Sequence, residues 1–266
     1  MFLSRRGFVG ATAAITLASG PSQSTVGTVA DDLAAPKNLL RLYRAMRGNG
    51  DDPALWWLTG TVYAKLIGKP NVPLVQAHGV SWNRLTERED GNLDQAMDEA
   101  GYFGDADSGE LVDTWVNPIN GHEGKPEAYR TVSRQIITPN SVEVAADVPI
   151  TVEGKMRPAT ISGEVVWVHE TFSATVPSFL TGSAPRVMEL MATFQARIDD
   201  IDLTGQQVVP CTLSFLQVDP FYDWMGMSED EPGLLIWNVV GRKLESATEV
   251  PDFLARRLAA DHPGFL

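Results

Sequence analysis

The feature that most constrains the fold is a succession of short strand-like segments that fills the chain after about residue 50. In these segments apolar and polar residues alternate, or β-branched and aromatic residues predominate, as they do in β-strands. Turn sequences such as Glu89-Asp90-Gly91-Asn92 separate the segments. Nine segments fit this description: residues 55–66, 72–85, 102–105, 110–117, 128–138, 142–152, 160–176, 208–218 and 234–244.

Helical patterns occur near the two ends of the chain. Apolar residues recur at helical spacing in residues 37–47. Residues 251–260 are typical of a helix with Pro251 in its first turn. Residues 186–198 fit a helix and a strand equally well, so both assignments stay open.

Many short strands with helices only near the termini favour a mainly β fold with antiparallel pairing. We favour a closed or nearly closed barrel of the lipocalin (calycin) type over a sandwich, because a barrel leaves no exposed edge strands. The composition does not shift along the chain. We therefore predict a single β-barrel domain over residues 31–266.

Residues 1–30 have the composition of an export signal. Arg5 and Arg6 form a twin-arginine pair, an apolar run begins at Phe8, and the segment contains no acidic residue. The apolar run is shorter than the roughly 20 residues that span a bilayer. We expect residues 1–30 to be a twin-arginine (Tat) signal peptide. The mature protein would then be periplasmic or secreted, with no membrane attachment after cleavage.

Charge and motifs exclude several classes of function. The net charge is −13, and phosphate binding needs clustered Lys and Arg, so we expect no nucleic-acid partner. No dinucleotide, P-loop, nucleophile-elbow or zinc-protease motif occurs, so we expect no organic cofactor. The single cysteine, Cys211, lies in an apolar segment and is predicted to be a buried, inert thiol. A homodimer is an open alternative to a monomer.

Several strands pair an apolar face with a face that mixes aromatic and polar residues. Trp57 and Tyr63 share such a mixed face, as do His78 and Trp82 on the next strand. Two interpretations are open. The mixed face could be the outer surface, or it could line the barrel lumen while helices cover the apolar outside. Ligand sites combine aromatic residues with a few polar groups, which matches the mixed face.

The mixed faces provide the candidate site residues. We predict His169, His78 and Tyr63 as catalytic groups, since His titrates near neutral pH and Tyr can stabilise an oxyanion. The predicted substrate-binding residues are Trp57, Trp82, Arg84, Trp115, Asn117, Tyr129, Arg130, Trp167, Tyr222 and Trp224.

The leading hypothesis is an enzyme of lyase or isomerase type that acts by general acid/base chemistry. Its substrate would be a small aromatic or apolar molecule held in the barrel cavity. One alternative is a non-catalytic, lipocalin-like carrier of small molecules. Another is a metal-dependent enzyme that uses His78 and His169, although no metal-ligand motif occurs.

One stretch of the chain carries a family resemblance. The sequence Asp105-x-x-Ser108-Gly109-Glu110, with Trp115 and Asn117-Pro118 after it, resembles a motif of the DUF1838 family. Ser108 stands where this family usually has Thr. Residues 224–227, 232–234, 241–243 and 254–266 are also similar to the family. The resemblance implies one intact domain and agrees with an export signal, which members often carry. The family's name records an unknown function, so no site residue is transferred.

Overall fold

The computed structural model describes residues 32–144, 151–176, 186–204, 208–227 and 232–266. The predicted signal peptide, residues 1–30, lies outside the described residues. Within the described ranges, no helix has both the length and the apolar character needed to cross a membrane.

The described chain contains two α-helices and thirteen β-strands. Helix α1 is Leu39–Arg47 and helix α2 is Asp252–Asp261. The strands are β1 Ala54–Leu66, β2 Val72–Glu87, β3 Leu93–Asp105, β4 Trp115–Val116, β5 Glu123–Gly124, β6 Tyr129–Ile137, β7 Val142–Val144, β8 Thr151–Met156, β9 Thr160–Ser162, β10 Val165–Val176, β11 Arg186–Arg197, β12 Thr212–Asp219 and β13 Gly233–Leu244. Short 3-10 turns are Pro36–Asn38, Ile198–Asp200, Asp223–Met225 and Ala247–Glu249.

The strands form a nearly closed antiparallel barrel, as the sequence predicts. Their order is β7-β6-β3-β2-β1-β13-β12-β11-β10-β8, and the short strand β9 pairs with β10 beside this path. The two ends of this order, β7 and β8, lie next to each other. The side chain of Val142 on β7 packs directly over Gly154 on β8. Strands β4 and β5 form a separate hairpin.

The register of the strands fixes which residues face the inside of the barrel. On β1 the even-numbered residues, such as Trp56 and Val62, are buried and pair with Lys243 and Trp237 on β13. Following this register around the barrel places Glu99 of β3 on the same inner face. The inner wall is therefore the mainly apolar face of each strand, as burial of hydrocarbon requires.

Helix α1 closes one end of the barrel as a plug. Leu42, Tyr43 and Met46 are fully buried in a core that also contains inner-wall residues of β1, β2, β3, β6, β8, β10 and β11. The C-terminal carbonyl groups of the helix have partners from the barrel. Trp56 donates to the Arg47 carbonyl oxygen over 2.9 Å, and Lys243 donates to the Ala45 carbonyl oxygen over 3.0 Å. These bonds satisfy acceptors that a helix end would otherwise leave unpaired.

Helix α2 packs on the outside of the barrel. Leu254 and Leu258 are buried against outward-facing residues of β2 and β3, including Val80 and Tyr102. The chain end follows the same surface, where Trp82 donates to the carbonyl oxygen of Phe265 over 2.7 Å. The structure confirms both predicted helices near the termini.

Several strand assignments differ from the sequence prediction. Residues 102–105 are the end of a strand that begins at Leu93, and residues 110–117 are a loop apart from the two residues of β4. The ambiguous segment is strand β11, because β10 and β12 pair with it on both sides. Residues 142–152 contain β7 and the start of β8, and the residues between them lie outside the described ranges.

Candidate functional site

The candidate site is the space inside the barrel between helix α1 and a cluster of aromatic residues at the opposite end. We call this space the lumen. Side chains that face it in the middle of the barrel are only half-buried, so they are not closely packed against one another there. These inward-facing, half-buried residues are Met97, Glu99, Tyr129, Ser133, Gln135, Phe172, Leu190, Phe215 and Gln217.

A buried charged cluster forms the floor of the lumen above helix α1. Arg47, from the end of α1, lies 2.9 Å from the carboxylate of Glu170 on β10. The Tyr43 hydroxyl donates to the same carboxylate over 3.1 Å and also contacts Arg47. Burial raises the pKa of Tyr43 well above its ordinary value, so the phenol stays protonated. Glu170 is 2% exposed, and an unpaired buried carboxylate would destabilise the fold. Arg47 supplies the positive charge that offsets this cost.

Glu99 is the carboxyl group that faces the middle of the lumen. Desolvation raises its pKa above the ordinary value, and three favourable interactions oppose that rise. Side-chain hydrogen bonds come from Tyr129 and Ser81, and the positive charge of Arg47 acts across the lumen. A carboxyl group with a raised pKa in a cavity is typical of a general acid or base.

A chain of polar side chains leads along the inner wall to Glu99. Gln95 donates to the Asn83 side-chain oxygen over 2.9 Å, and Asn83 donates to the Ser81 hydroxyl over 2.8 Å. Ser81 in turn is close enough to Glu99 to lower the pKa of its carboxyl group. The chain of donors therefore favours the ionised form of Glu99.

The inner wall also holds buried polar atoms that have no partner among the described residues. They are the side-chain oxygens Gln95 Oε1 and Ser133 Oγ, and the indole Nε1 of Trp237. Buried polar groups are almost always hydrogen-bonded, so such atoms need a physical explanation. A bound molecule with its own donors and acceptors would supply the missing partners.

Aromatic residues close the end of the barrel opposite to α1. We call this cluster the aromatic cap: Phe103, Trp115, Tyr129, Tyr222, Trp224 and Trp237, whose neighbouring ring centroids lie 5.3–6.5 Å apart. Tyr129 reaches into the lumen because its ring lies over Gly101, where a Cβ atom would collide with it. The cap thus places a phenol next to Glu99.

A charged latch holds the loop that carries Tyr222. The guanidinium of Arg186 lies 4.3 Å from the Tyr222 ring centroid and 3.5 Å from the carboxylate of Asp219. Asp219 also accepts hydrogen bonds from Gln217 over 2.6 Å and from the Tyr222 hydroxyl over 3.2 Å. This carboxylate is 2% exposed. Arg186 therefore joins the start of β11 to the loop after β12.

Five of the residues predicted for ligand binding lie at the aromatic cap. Tyr129, Tyr222 and Trp224 belong to it directly, as does Trp115, whose indole donates to the Leu74 carbonyl oxygen over 2.9 Å. Asn117 holds the segment next to Trp224 in place by donating to the Met225 carbonyl oxygen over 2.7 Å. The apolar loop of residues 217–227 is thus part of the cap.

His78 lies on the outer face of β2 beneath helix α2. Its Nε2 atom is 3.0 Å from the Gly109 carbonyl oxygen, which can only accept, so Nε2 carries a proton. Its Nδ1 atom is 3.1 Å from the Thr59 hydroxyl, and the Phe253 ring packs edge-on over 5.1 Å. Burial lowers the pKa of His78. Both nitrogens are engaged, which suits a structural role.

His169 lies on the outer face of β10, where its Nδ1 atom is 3.1 Å from the Thr193 hydroxyl. Strands β2 and β10 are five positions apart in the sheet order, so His78 and His169 lie on opposite sides of the barrel. The structure does not bring them together in one cavity. Among the described residues, no group of three or more His, Cys, Asp or Glu side chains could hold a metal ion.

The other predicted site residues also face outward. Arg130 pairs with Asp98 over 2.8 Å, and the Trp167 indole donates to Gln195 over 3.1 Å. The remaining outward-facing residues are Trp57, Tyr63, Trp82 and Arg84. The interpretation of the mixed face as the barrel lumen is therefore wrong for β1, β2 and β10. The physical reason is that the more apolar face of each of these strands is the one buried inside.

Glu99, Glu170 and Arg47 are not among the site residues predicted from the sequence. A signal for Glu170 exists, because it is the one charged residue on the face that carries Val166, Val168 and Phe172. Glu99 was hidden because Asp94 and Asp98 on the same segment make its alternation look irregular. Arg47 gives no such signal, since basic residues are common in the last turn of a helix.

A concavity lies on the outer surface between helix α2 and the turn after β3. It has a volume of about 650 Å³ and is lined by residues that include Gly109, Phe253, Arg256 and Arg257. The carboxylate of Asp105 accepts hydrogen bonds from backbone N–H groups of Asp107 and Ser108, so this segment is an ordinary turn.

The thiol of Cys211 is buried, and burial raises its pKa to about 12, as the prediction of an inert thiol requires.

Comparisons with known proteins identify a family. The model of a family described as "Protein of unknown function (DUF1838)" matches residues 50–266. No curated protein matches the sequence significantly. A solved structure described as "Crystal structure of MucB in complex with MucA(peri)" aligns with 11% identity over 81% of this chain and 96% of that chain. Its TM-score of 0.11 is too low to support an argument about fold or function.

Proposed function

We propose the following function for this chain, which belongs to the DUF1838 family. The barrel lumen binds one small, largely apolar molecule, and Glu99 moves a proton on it, as in a lyase or an isomerase. One observation carries this proposal. A carboxyl group of raised pKa shares the inner wall with buried donors and acceptors that lack partners among the described residues.

The two sides of the lumen indicate the chemistry of the bound molecule. Phe172, Leu190 and Phe215 make the wall of β10, β11 and β12 apolar. The opposite wall, formed by β2, β3 and β6, carries the polar chain and Ser133. The molecule would therefore have an apolar body and one polar edge. Arg47 is already paired with Glu170, which favours a neutral molecule over an anion.

The groups around Glu99 suit proton transfer. Arg47 and the donors Ser81 and Tyr129 favour the ionised carboxylate, while desolvation makes it a stronger base than an exposed Glu. Burial raises the pKa of Tyr129 well above its ordinary value, so this phenol remains a hydrogen-bond donor. The indole N–H of Trp237 nearby would stabilise an oxyanion that develops after proton removal, and the Tyr129 hydroxyl could join it once Glu99 has taken up the proton.

The test compares the wild-type chain with the Glu99→Gln variant on a mixture of small molecules. A cell extract in D₂O is incubated with each protein, and mass spectrometry follows deuterium incorporation and mass changes. The proposal predicts that at least one compound is labelled or converted by the wild type and not by Glu99→Gln. The matched control is Asp98→Asn, because Asp98 neighbours Glu99 on β3 but points outward to Arg130. It should behave like the wild type.

The second candidate function is that of a carrier. The observation in its favour is that the α1 plug and the aromatic cap enclose the lumen at both ends, as a container would require. A carrier would retain a compound through native purification and release it unaltered. Identical compounds bound to the wild type and to Glu99→Gln, with no labelling by either, would favour the carrier and contradict the enzyme.

We also propose that the protein is exported by the twin-arginine route and works in the periplasm or outside the cell. The support is the Arg5-Arg6 pair followed by an apolar run without acidic residues. Residues 1–30 fused to a reporter protein should export it from a bacterium with a working twin-arginine system. Replacing both arginines with lysine should stop export, and export that persists would contradict the proposal.

A further inference from the structure

The outer surface of four adjacent strands carries a continuous apolar area. It spans β11, β12, β13 and β1, which are neighbours in the sheet. We call it the apolar face, and its members are Tyr63, Val187, Met191, Leu216, Val218, Leu234, Ile236 and Val240. Four of these side chains are 44–54% exposed. Contiguous exposed apolar surfaces of this kind mark interaction sites more often than ordinary surface.

The register shows that the apolar residues are neighbours rather than scattered. Val218 pairs with Ile236, which in turn pairs with Tyr63 on the next strand. In the next row along the strands, Met191 pairs with Leu216, and Leu216 pairs with the exposed Asn238. The apolar face is therefore a block of neighbouring, mainly apolar side chains with one polar residue, Asn238, inside it.

No described helix covers the apolar face. Helix α1 lies inside the barrel, and α2 packs on the outer faces of β2 and β3. Within the described ranges, the exposed members of the apolar face belong to none of the three buried core clusters. None of the described helices therefore prevents the apolar face from contacting a partner.

Two opposite charges stand at opposite borders of the apolar face. Glu189 lies on β11 in the same row as Val218, Ile236 and Tyr63, and Lys65 lies on β1 one row further along. Lys65 bonds only to the backbone oxygen of Lys69 over 3.0 Å, and Glu189 forms no ion pair within the described part of the chain. Arg242 follows Val240 on the outer face of β13, but it is already paired with Glu249 over 2.7 Å.

We propose that the apolar face is the interface of a homodimer in this protein. A twofold axis parallel to the strands, running between β12 and β13, places two copies of the face against each other. It brings the β11 border of one copy to the β1 border of the other. Glu189 then lies within reach of Lys65 of the partner subunit, and the same pair forms again on the other side of the axis. Self-complementarity of this kind is what a twofold interface requires.

The size of the face predicts a weak dimer. Four strands about 4.8 Å apart, with outward residues about 7 Å apart along each strand, cover roughly 500 Å² on each copy. The total of roughly 1,000 Å² is at the lower limit for a specific interface. A net charge of −13 on each chain adds repulsion, which salt screens. The dimer should therefore dissociate in the micromolar range and strengthen with added salt. This proposal is independent of the function of the lumen.

The test is sedimentation velocity of the full chain over a concentration series. The wild type should show a monomer–dimer equilibrium. Leu234→Lys should weaken the dimer at least about tenfold, because it places two like charges near the axis. Val132→Lys is the matched control, since Val132 is 70% exposed on β6, away from the apolar face. It should not change the equilibrium.

A charge-reversal series tests the geometry itself. Glu189→Lys and Lys65→Glu should each weaken the dimer, because each single change places like charges opposite one another. The double variant should restore it, because both pairs re-form with their signs exchanged. A wild-type chain that stays monomeric at high concentration would overturn the proposal. A dimer that tolerates Leu234→Lys, or a double variant no better than either single one, would overturn it equally. Circular dichroism of each variant separates loss of the dimer from loss of the fold.

Discussion

The Nζ atom of Lys243 lies 2.6 Å from the carbonyl oxygen of Gly48, so a buried lysine on the inner wall of β13 holds the end of the plug helix. The same amine also bonds to the carbonyl oxygen of Ala45. Helix α1 is therefore tied to the barrel by its C-terminal carbonyl groups as well as by its apolar side chains. Two predictions concern this end of the barrel.

The first prediction concerns Lys243→Met, which keeps the apolar stem and removes the amine. We expect the free energy of unfolding at pH 7 to fall by about 1–3 kcal/mol, because two buried carbonyl oxygens lose their donor. Burial lowers the pKa of Lys243 to about 8. Between about pH 8 and the ordinary lysine pKa, the unfolded chain binds more protons than the folded one. The stability of the wild type should therefore rise across this window relative to Lys243→Met. Denaturant unfolding from pH 7 to 10 measures both effects, and parallel pH profiles would contradict the second.

The second prediction concerns the ion pair at the floor of the lumen. Glu170→Gln leaves Arg47 buried without its carboxylate, which should cost about 3–5 kcal/mol. The double variant Arg47→Met, Glu170→Gln removes both charges and should be more stable than Glu170→Gln alone. Urea unfolding of the set gives the coupling energy between the two residues. If the double variant loses the sum of the two single effects, the residues do not form a coupled pair.

The third prediction separates the role of Glu99 from the stability of the fold. The raised pKa means that the ionised carboxylate destabilises the folded chain above the pKa of Glu in an unfolded chain. Glu99→Gln should therefore be more stable than the wild type at pH 7. This advantage should shrink as the pH falls from the raised pKa of the folded chain to the ordinary pKa of Glu in the unfolded chain. Thermal unfolding at pH 4 and pH 7 measures the difference. A variant that is less stable than the wild type at both pH values would instead indicate a structural role.

The fourth prediction concerns the latch formed by Arg186, Asp219 and Tyr222. Arg186→Met removes the cation that contacts both the ring and the carboxylate. We expect faster amide hydrogen exchange in residues 220–227 and faster entry of probes into the lumen, because the loop is held less firmly. Exchange in the hairpin of β1 and β2 should not change. Uniformly faster exchange across the barrel would indicate general destabilisation and contradict a local latch.

The sequence predicts the barrel well because each strand carries its own local signal. Turn residues and alternation mark β1 and β2 almost to their ends. The segment of β11 could not be assigned locally, since Leu190, Phe194 and Ile198 fit both periods; pairing with β10 and β12 on both sides decides it. The chain alone gives no information of that kind.

The orientation of the strand faces is the part that the sequence does not determine. His78 and Trp82 look like lumen residues because they share a strand face that mixes aromatic and polar side chains, yet α2 and the chain end cover them from outside. Only the distant packing of the C-terminus explains their aromatic character. Conversely, Glu99 is a polar residue on the inner wall, and Tyr129 and Ser81 help to stabilise its ionised form. Both residues lie on other strands, so the sequence around Glu99 does not reveal them.

The central claim is that the lumen, rather than any outer surface, binds the small molecule. The most direct measurement is a fluorescence titration with N-phenyl-1-naphthylamine, a neutral aromatic probe, on three proteins. Leu190→Trp fills the lumen from the inner face of β11, and Val132→Trp adds the same side chain to the outer face of β6. We predict saturable binding of one probe per chain to the wild type and to Val132→Trp, and binding at least about tenfold weaker to Leu190→Trp. Equal binding to all three proteins, or no saturable binding to the wild type, would contradict the claim.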